Sequence, residues 1–311
     1  MTASHVRTTG TEAERRFEAS DGVPLVGTLA RPEGEPVAAA LLIPGSGQVD
    51  RNSDHRRMRL GVTRDLAAAL ADSGVASLRY DKRGVGASGG DYLSAGLSDN
   101  VADATAALAE LRAAVPGLPV VLIGHSEGGI IATQVAAADA ALAGVVLLAA
   151  PGVTGEEMLA WQAQRVADAL PPFARFVVRV LRIDVVRQQR RTLDRLLAST
   201  DDVIRIQGQR VNAKWHRELL ASDPARDLAQ VAAPILAITG GKDLQVDPDD
   251  LERIAAAAPG PVETRRPADL THLLRDDPDV PSLGAYRRLL REPTDAALLE
   301  RVVAWVVAAA R

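Results

Sequence analysis

The chain has 311 residues, is 47% hydrophobic and 24% charged, and carries a net charge of −4. These proportions belong to a globular protein long enough for one large α/β domain or a domain with an insertion, and the negative balance gives no general attraction to nucleic acid. With no cysteine, disulfides, thiolate catalysis and Cys-ligated metals are excluded.

Met1 to Arg7 are polar and lack the apolar core of a secretory signal, and no apolar run approaches the 18 or so residues of a membrane span. A cytoplasmic location is therefore expected. Residues 1–14 are expected to form a loosely attached tail. From Phe17 to Arg31 the chain alternates around Asp21-Gly22, a tight-turn dipeptide, which predicts a hairpin. Val37 to Ile43 reads as a buried strand ending in Pro44-Gly45-Ser46-Gly47-Gln48, followed by a polar loop from Asp50 to Arg57. Leu66, Ala67 and Leu70 mark a helix that stops at Ser73-Gly74, and Val75 to Tyr80 is the next strand. Ser98 is placed to cap a helix with apolar positions at Val101, Ala104, Leu108 and Leu111. Val120 to Ile123 is again a strand, a helix through Ile130, Ile131 and Val135 follows, and Gly144 to Ala150 is a strand. Such alternation implies an α/β fold with a mostly parallel central sheet flanked by helices.

Between Pro151 and Pro234 the rhythm changes. Amphipathic helical segments succeed one another, and no strand-like run is bounded by turns. Alternation resumes with a strand from Pro234 to Thr239 and a helix capped by Asp247-Pro248. A short strand from Val262 to Arg265 and a closing helix from Asp295 to Ala310 complete the chain. The expected organisation is a core of residues 15–151 and 233–311, with 152–232 inserted as a helical cap over the carboxyl edge of the sheet.

One stretch carries a chemical signal. The strand Val120-Val121-Leu122-Ile123 runs into Gly124-His125-Ser126-Glu127-Gly128-Gly129 and then directly into a helix. A serine at the apex of a strand–turn–helix needs small residues two positions away on either side, and Gly124 and Gly128 supply them. The helix that starts there offers free N–H groups and a favourable dipole to a developing negative charge. The pattern G-x-S-x-G occurs by chance in about one chain in ten of this length, and Gly86-Ala87-Ser88-Gly89-Gly90 is a second match. That match has no strand running into it and no apolar helix after it, so it reads as a glycine-rich loop.

A serine hydroxyl needs a base, usually a histidine oriented by a carboxylate. Of the five histidines, His5 lies in the tail, His55 in a polar loop, His125 beside the apex with its side chain expected to point away, and His216 in the insertion. His272 follows the last strand and is the expected base. Asp243 lies in the loop after the strand that ends at Thr239 and is the expected acid; Asp247 precedes a proline and fits a helix cap. Oxyanion donors are expected from the backbone N–H of Glu127 and from the loop Ser46-Gly47-Gln48. No His/Asp cluster points to a metal, and no cofactor is expected.

Taken together, Pro44-Gly45-Ser46-Gly47, Arg79-Tyr80-Asp81-Lys82-Arg83-Gly84-Val85-Gly86-Ala87-Ser88, Gly124 to Gly129, Gly241-Lys242-Asp243 and Thr271-His272-Leu273-Leu274, in that order, resemble the α/β-hydrolase superfamily. The chain is most similar to its bacterial serine esterase branch, which carries a GSG-x-x-DRN-type loop (here Gly45 to Asn52). The resemblance covers nearly everything from Phe17 onward except the insertion. It implies Ser126 as nucleophile, Asp243 as acid and His272 as base, with Asp81 and Arg83 bracing their loop and Ser88 without a catalytic role. Glu127 departs from the apolar residue of many relatives, and its carboxylate is expected to turn away and bind a neighbouring loop.

Within the insertion, Phe173 to Arg195 holds seven arginines (175, 179, 182, 187, 190, 191, 195) against Asp184 and Asp194. This reads as an amphipathic helix with a solvated basic face. A lipid contact and the steering of acidic substrates are sharper alternatives. Trp161, Phe173, Phe176 and Trp215 are the aromatics expected to line a substrate pocket. The expected partner is a small-molecule ester or acyl substrate, with the helical cap also able to serve as a homo-oligomer interface. Thioesterase, C–C hydrolase and aminopeptidase chemistry use the same triad, and a peptidase would need a carboxylate for the substrate amine, for which Glu156 and Glu157 are at hand. A haloalkane dehalogenase would need Asp at position 126. A non-catalytic ligand-binding relative is the rival from a different class.

Overall fold

The computed structural model of the chain describes residues 10–56, 58–168 and 185–311. In chain order come β1 (Thr11–Glu18), β2 (Pro24–Arg31), β3 (Ala38–Ile43), β4 (Asp54–His55) and β5 (Met58–Arg59). They are followed by α1 (Val62–Asp72), β6 (Val75–Tyr80), α2 (Leu97–Ala114), β7 (Val120–His125), α3 (Glu127–Ala137) and β8 (Gly144–Leu148). Then come α4 (Gly155–Asp168), α5 (Val185–Ala198), β9 (Val203–Ile206), β10 (Gln209–Asn212), α6 (Ala213–Leu220) and α7 (Pro224–Leu228). The chain closes with β11 (Ile235–Ile238), α8 (Asp250–Ala257), β12 (Val262–Arg265), α9 (Tyr286–Leu289) and α10 (Ala296–Ala309).

Eight strands form one sheet in the order β1-β2-β6-β3-β7-β8-β11-β12. The first two are antiparallel to each other, β2 is antiparallel to β6, and the remaining pairs are parallel. Period-2 alternation divides the central strands between two cores. Leu41 and Ile43 of β3 pack with α2 and α3 residues such as Leu108 and Ile131. Ala40 and Leu42 pack on the opposite face with Leu66 of α1 and Val302 of α10. From β3 the chain first adds β6 on one side and later β7 on the other. That reversal opens a crevice beyond the carboxyl ends of β3 and β7, the usual position of a site in an open parallel sheet.

The structure departs from the sequence expectations in five places. Strand β1 begins at Thr11, inside the expected tail, because its full length pairs with β2 from Thr11↔Arg31 to Glu18↔Pro24. The loop after β3 contains the short β4–β5 pairing, Asp54↔Arg59. Between β8 and β11 lies a β9–β10 hairpin turned at Gln207-Gly208, where both residues have positive φ (51° and 82°). Ser98 does not cap α2. The N-cap position is Gly96, whose N–H donates to Asp99 at 2.7 Å, while the N–H and hydroxyl of Ser98 are held by Glu218 at 2.7 and 3.0 Å. Nor does Asp247 cap α8: the N-cap position is Asp249, and the Asp247 carboxylate accepts the Asp249 N–H at 3.1 Å. Among the described residues, no helix is long and apolar enough to cross a membrane.

The loop after β6 is a scaffold of buried ion pairs. Asp81 accepts both guanidinium branches of Arg51 (3.1 and 2.7 Å) and the N–H groups of Arg51 and Ala87. Burial pushes its carboxyl up, but Arg51 and those N–H donors outweigh burial and leave it below the ordinary range. Arg83 holds Asp103 at 2.6 Å and reaches back to Asp21 in the β1–β2 turn. Ser88 donates to the Asp81 carbonyl and accepts from Val26 N–H, so its hydroxyl is spent on structure. Removing one member of such a pair strands a buried charge. Asp81→Ala is expected to cost about 3–5 kcal/mol, measured as a lowered urea midpoint at unchanged slope.

Candidate active site

Ser126 sits between β7 and α3 with φ 55° and ψ −122°, a conformation costing about 1–3 kcal/mol in a non-glycine residue. It persists because its surroundings fix it. The Ser126 N–H donates to Leu148 O at 2.9 Å, and its carbonyl accepts Gly129 N–H at 2.8 Å. The glycines on either side are demanded by contact: a Cβ on Gly124 would overlap the Gly128 carbonyl, and one on Gly128 would overlap the carbonyls of Ile43 and Pro44. The turn therefore lies directly against the end of β3. A Cβ on Gly45 would sit 3.4 Å from Ser126 Cβ, so the Gly45–Gln48 loop and the serine share one crevice. Gly47 in that loop has φ 94°, a conformation that favours glycine.

Asp243 and His272 meet beyond the ends of β11 and β12. His272 Nδ1 lies 2.8 and 3.1 Å from the two carboxylate oxygens of Asp243. Asp243 is also held by the N–H groups of Gln245 (2.7 Å) and Val246 (2.9 Å), so its geometry does not depend on the histidine. Both side chains are buried. A carboxylate at Nδ1 places the proton there and leaves Nε2 as the free basic nitrogen.

His125 has a role that sequence reasoning missed. Its Nε2 lies 3.0 Å from the His272 carbonyl, which makes Nε2 the protonated nitrogen and fastens the His272 loop to the residue preceding the serine. The two rings lie 5.2 Å apart. Burial first, and the neighbouring His272 second, push the His125 imidazole down to about 3. A buried side chain beside the apex is compatible with the sequence, but its partner is 147 residues away, and no local pattern marks it.

Glu127 is likewise buried, and its carboxylate turns away from the crevice into a cluster of donors. Lys82 Nζ (3.3 Å), Asn100 Nδ2 (3.1 Å) and Trp215 Nε1 (3.1 Å) all reach it. This agrees with the expected turn toward a neighbouring loop, and its negative charge is balanced by Lys82. Tyr92 lies beside the same carboxylate and the Gly47 backbone. Burial and then Glu127 raise its phenol to about 12, so it stays neutral.

The expected pocket aromatics have different fates. Trp215 is drawn to Glu127. Trp161 lies on α4 with the Arg165 guanidinium 5.6 Å above its ring. Phe173 and Phe176 lie outside the described residues, as do Arg175, Arg179 and Arg182. Arg191 and Arg195 on α5 are exposed, in keeping with a solvated face. A polar cavity of about 730 Å³ is lined by Gln48, Asp50, Asn52, His55, Arg59 and Gly86. Ser126, Asp243 and His272 do not line it. Among the described residues, no cluster of three His, Asp or Glu could hold a metal ion.

Residues 57–279 match the family model described as serine aminopeptidase, S33. Similar folds occur in the DcsB complex with its substrate analogue (15% identity, TM-score 0.65, covering 96% of this chain and 99% of that one). The esterase Pf2001 of Pyrococcus furiosus is similar at 16% identity and TM-score 0.59, covering 88% of each chain. Est1E of Butyrivibrio proteoclasticus, with ferulic acid bound, is similar at 16% identity and TM-score 0.60, covering 94% of this chain and 96% of that one.

The His125 contact has a pH consequence. Its folded value of about 3 lies below the ordinary 6.5, so the unfolded chain takes up a proton first as pH falls. The stability it contributes is complete above about pH 6.5 and is lost toward pH 3, at up to about 1.4 kcal/mol per pH unit. Urea midpoints should therefore fall between pH 7 and pH 5, and His125→Gln should flatten that fall while lowering stability at pH 7.

Proposed function

We propose that this chain, which belongs to the serine aminopeptidase S33 family of α/β hydrolases, is a cofactor-independent serine hydrolase that cleaves carboxylic esters through an acyl-enzyme. The observation that carries this reading is the strained Ser126, next to a His125 bonded to the His272 carbonyl, together with a buried His272 already hydrogen-bonded to Asp243 at 2.8 Å. Strain of this kind is retained where it aims a side chain, and a carboxylate-oriented histidine is what a serine nucleophile requires.

In the proposed cycle, His272 Nε2 takes the Ser126 proton as Oγ attacks the substrate carbonyl. The negative charge that forms on the carbonyl oxygen is met by the Glu127 N–H at the start of α3 and by an N–H of Ser46, Gly47 or Gln48. Collapse expels the alcohol, protonated by His272, and leaves the acyl group on Ser126. His272 then activates water, which attacks the acyl carbon and releases the acid. Asp243 keeps the imidazole in the required tautomer and stabilises its cation. The segment 152–232 acts as a cap over the site and supplies the pocket.

Esters are favoured over peptides because two of the carboxylates near the crevice or in the inserted segment are engaged, with Glu156 left exposed on α4. Glu127 is paired with Lys82, and Glu157 accepts from the N–H and hydroxyl of Thr154. The esterases of P. furiosus and B. proteoclasticus with this fold support the same choice.

Ser126→Ala is expected to abolish hydrolysis of p-nitrophenyl acetate and butyrate, a loss of at least about 10³-fold, with an unchanged far-UV spectrum. It should also abolish labelling by a fluorophosphonate probe. Turnover retained by this variant would sink the assignment.

A further inference from the structure

Helix α6 is seated on the N-terminal ends of two other helices. Its cap residue Asn212 accepts the Trp215 N–H at 2.8 Å and donates to the carbonyls of Tyr92 (2.9 Å) and Ala95 (2.7 Å), just before α2. Lys214 pairs with Asp99 at 2.7 Å, and Glu218 holds Ser98 in the first turn of α2. A Cβ on Gly96 would collide with the Glu218 carboxylate, so α2 starts with glycine where α6 presses on it. From this seat Trp215, packed against the core beneath α2 and α3, sends its indole N–H to Glu127 at the start of α3.

We propose that Trp215 is a positioning residue for the oxyanion site: its hydrogen bond to the Glu127 carboxylate fixes the first residue of α3, and with it the backbone N–H that receives the developing charge. The inference rests on the serine hydrolase reading above. Three donors converge on this carboxylate, and Lys82, Glu127 and Asn100 are all less than 7% exposed. Each bond is charge-assisted; those from Lys82 and Asn100 are buried, and that from the half-buried Trp215 is partly so. Lys82 and Asn100 belong to the central fold, whereas Trp215 belongs to the segment between β8 and β11. The clamp on Glu127 is thus completed only when α6 is seated, and the pocket-forming segment and the oxyanion site share one residue. This gives Trp215 a different role from the pocket wall that its sequence position suggested. A wall residue alters how substrate binds; a residue that aims an oxyanion donor alters a contact realised in the transition state.

The test is the Trp215→Phe variant, which keeps an aromatic ring and removes the N–H. On p-nitrophenyl butyrate kcat should fall about tenfold, the worth of one charge-assisted hydrogen bond, with KM within about twofold of the parent. The rate of fluorophosphonate labelling should fall by the same factor. Glu127→Gln should show the same split, and adding Trp215→Phe to it should cost less than in the parent, because both act through one contact. A raised KM at constant kcat, unchanged kinetics, or full additivity of the two substitutions would overturn the proposal. If Trp215→Phe does not accumulate as folded protein, Glu127→Gln alone decides, and an unchanged kcat there overturns it. A parent protein inert to the fluorophosphonate overturns the serine hydrolase reading and this proposal together; a labelled parent with an unaffected Trp215→Phe overturns this proposal alone.

Discussion

The first turn of α3 lies so close to the end of β3 that nothing larger than hydrogen fits between them at Gly128. That contact fixes where the Gly45–Gln48 loop stands relative to Ser126, because β3 and β7 are hydrogen-bonded neighbours with Ile43 opposite Gly124. A sheet pairing of adjacent parallel strands thereby becomes a site geometry: the loops leaving the two strands diverge above the same crevice. Backbone strain at Ser126 is maintained by this packing and by the bond to Leu148 O, not by any interaction of its side chain.

Around this contact, buried charge is used to fix positions. Arg51–Asp81, Arg83–Asp103 and Lys82–Glu127 all centre on the loop after β6, and all are largely shielded from water. Burying ion pairs brings little net stability compared with apolar side chains of similar volume. What it brings here is direction. Lys82 is satisfied by Glu127 and Arg83 by Asp103 together with Asp21, so the loop after β6, the β1–β2 turn, α2 and α3 can assemble in one relative arrangement.

Ser126, the Gly45–Gln48 loop and Asp243 could be placed beyond strand ends because each stands after a run of apolar residues that must be a buried strand, and a strand's end is where a parallel sheet exposes its loops; His272 follows the shorter, only partly buried β12. The central sheet strands were legible for the same reason, and β12, though not apolar, lies at Val262 to Arg265 as expected. What failed depended on contacts distant in sequence. Ser98 is a good capping residue by local rule, but Glu218, 120 residues later, takes its N–H and hydroxyl. The β9–β10 hairpin escaped notice because its strands are four residues each and only partly buried, so neither alternation nor an apolar run marks them. The carboxylate of Glu127 and the imidazole of His125 find partners 27 to 147 residues away, and no spacing rule connects them.

Strands β8 and β11 are neighbours in the sheet, with Val145 opposite Ile235. Because the two strands are parallel, the chain leaves the carboxyl end of β8 and returns at the amino end of β11, so both ends of the excursion are fixed by the sheet however many residues it spans in between. Closing a longer loop costs only logarithmically more entropy, so the sheet is indifferent to the length of that excursion. Such a junction invites exchange: lineages or engineers could replace the whole segment to change what the protein accepts, leaving the hydrolytic core untouched. Trp215 sets the limit on that freedom. A transplanted segment inherits the junction for nothing, but it must also bring a donor to Glu127.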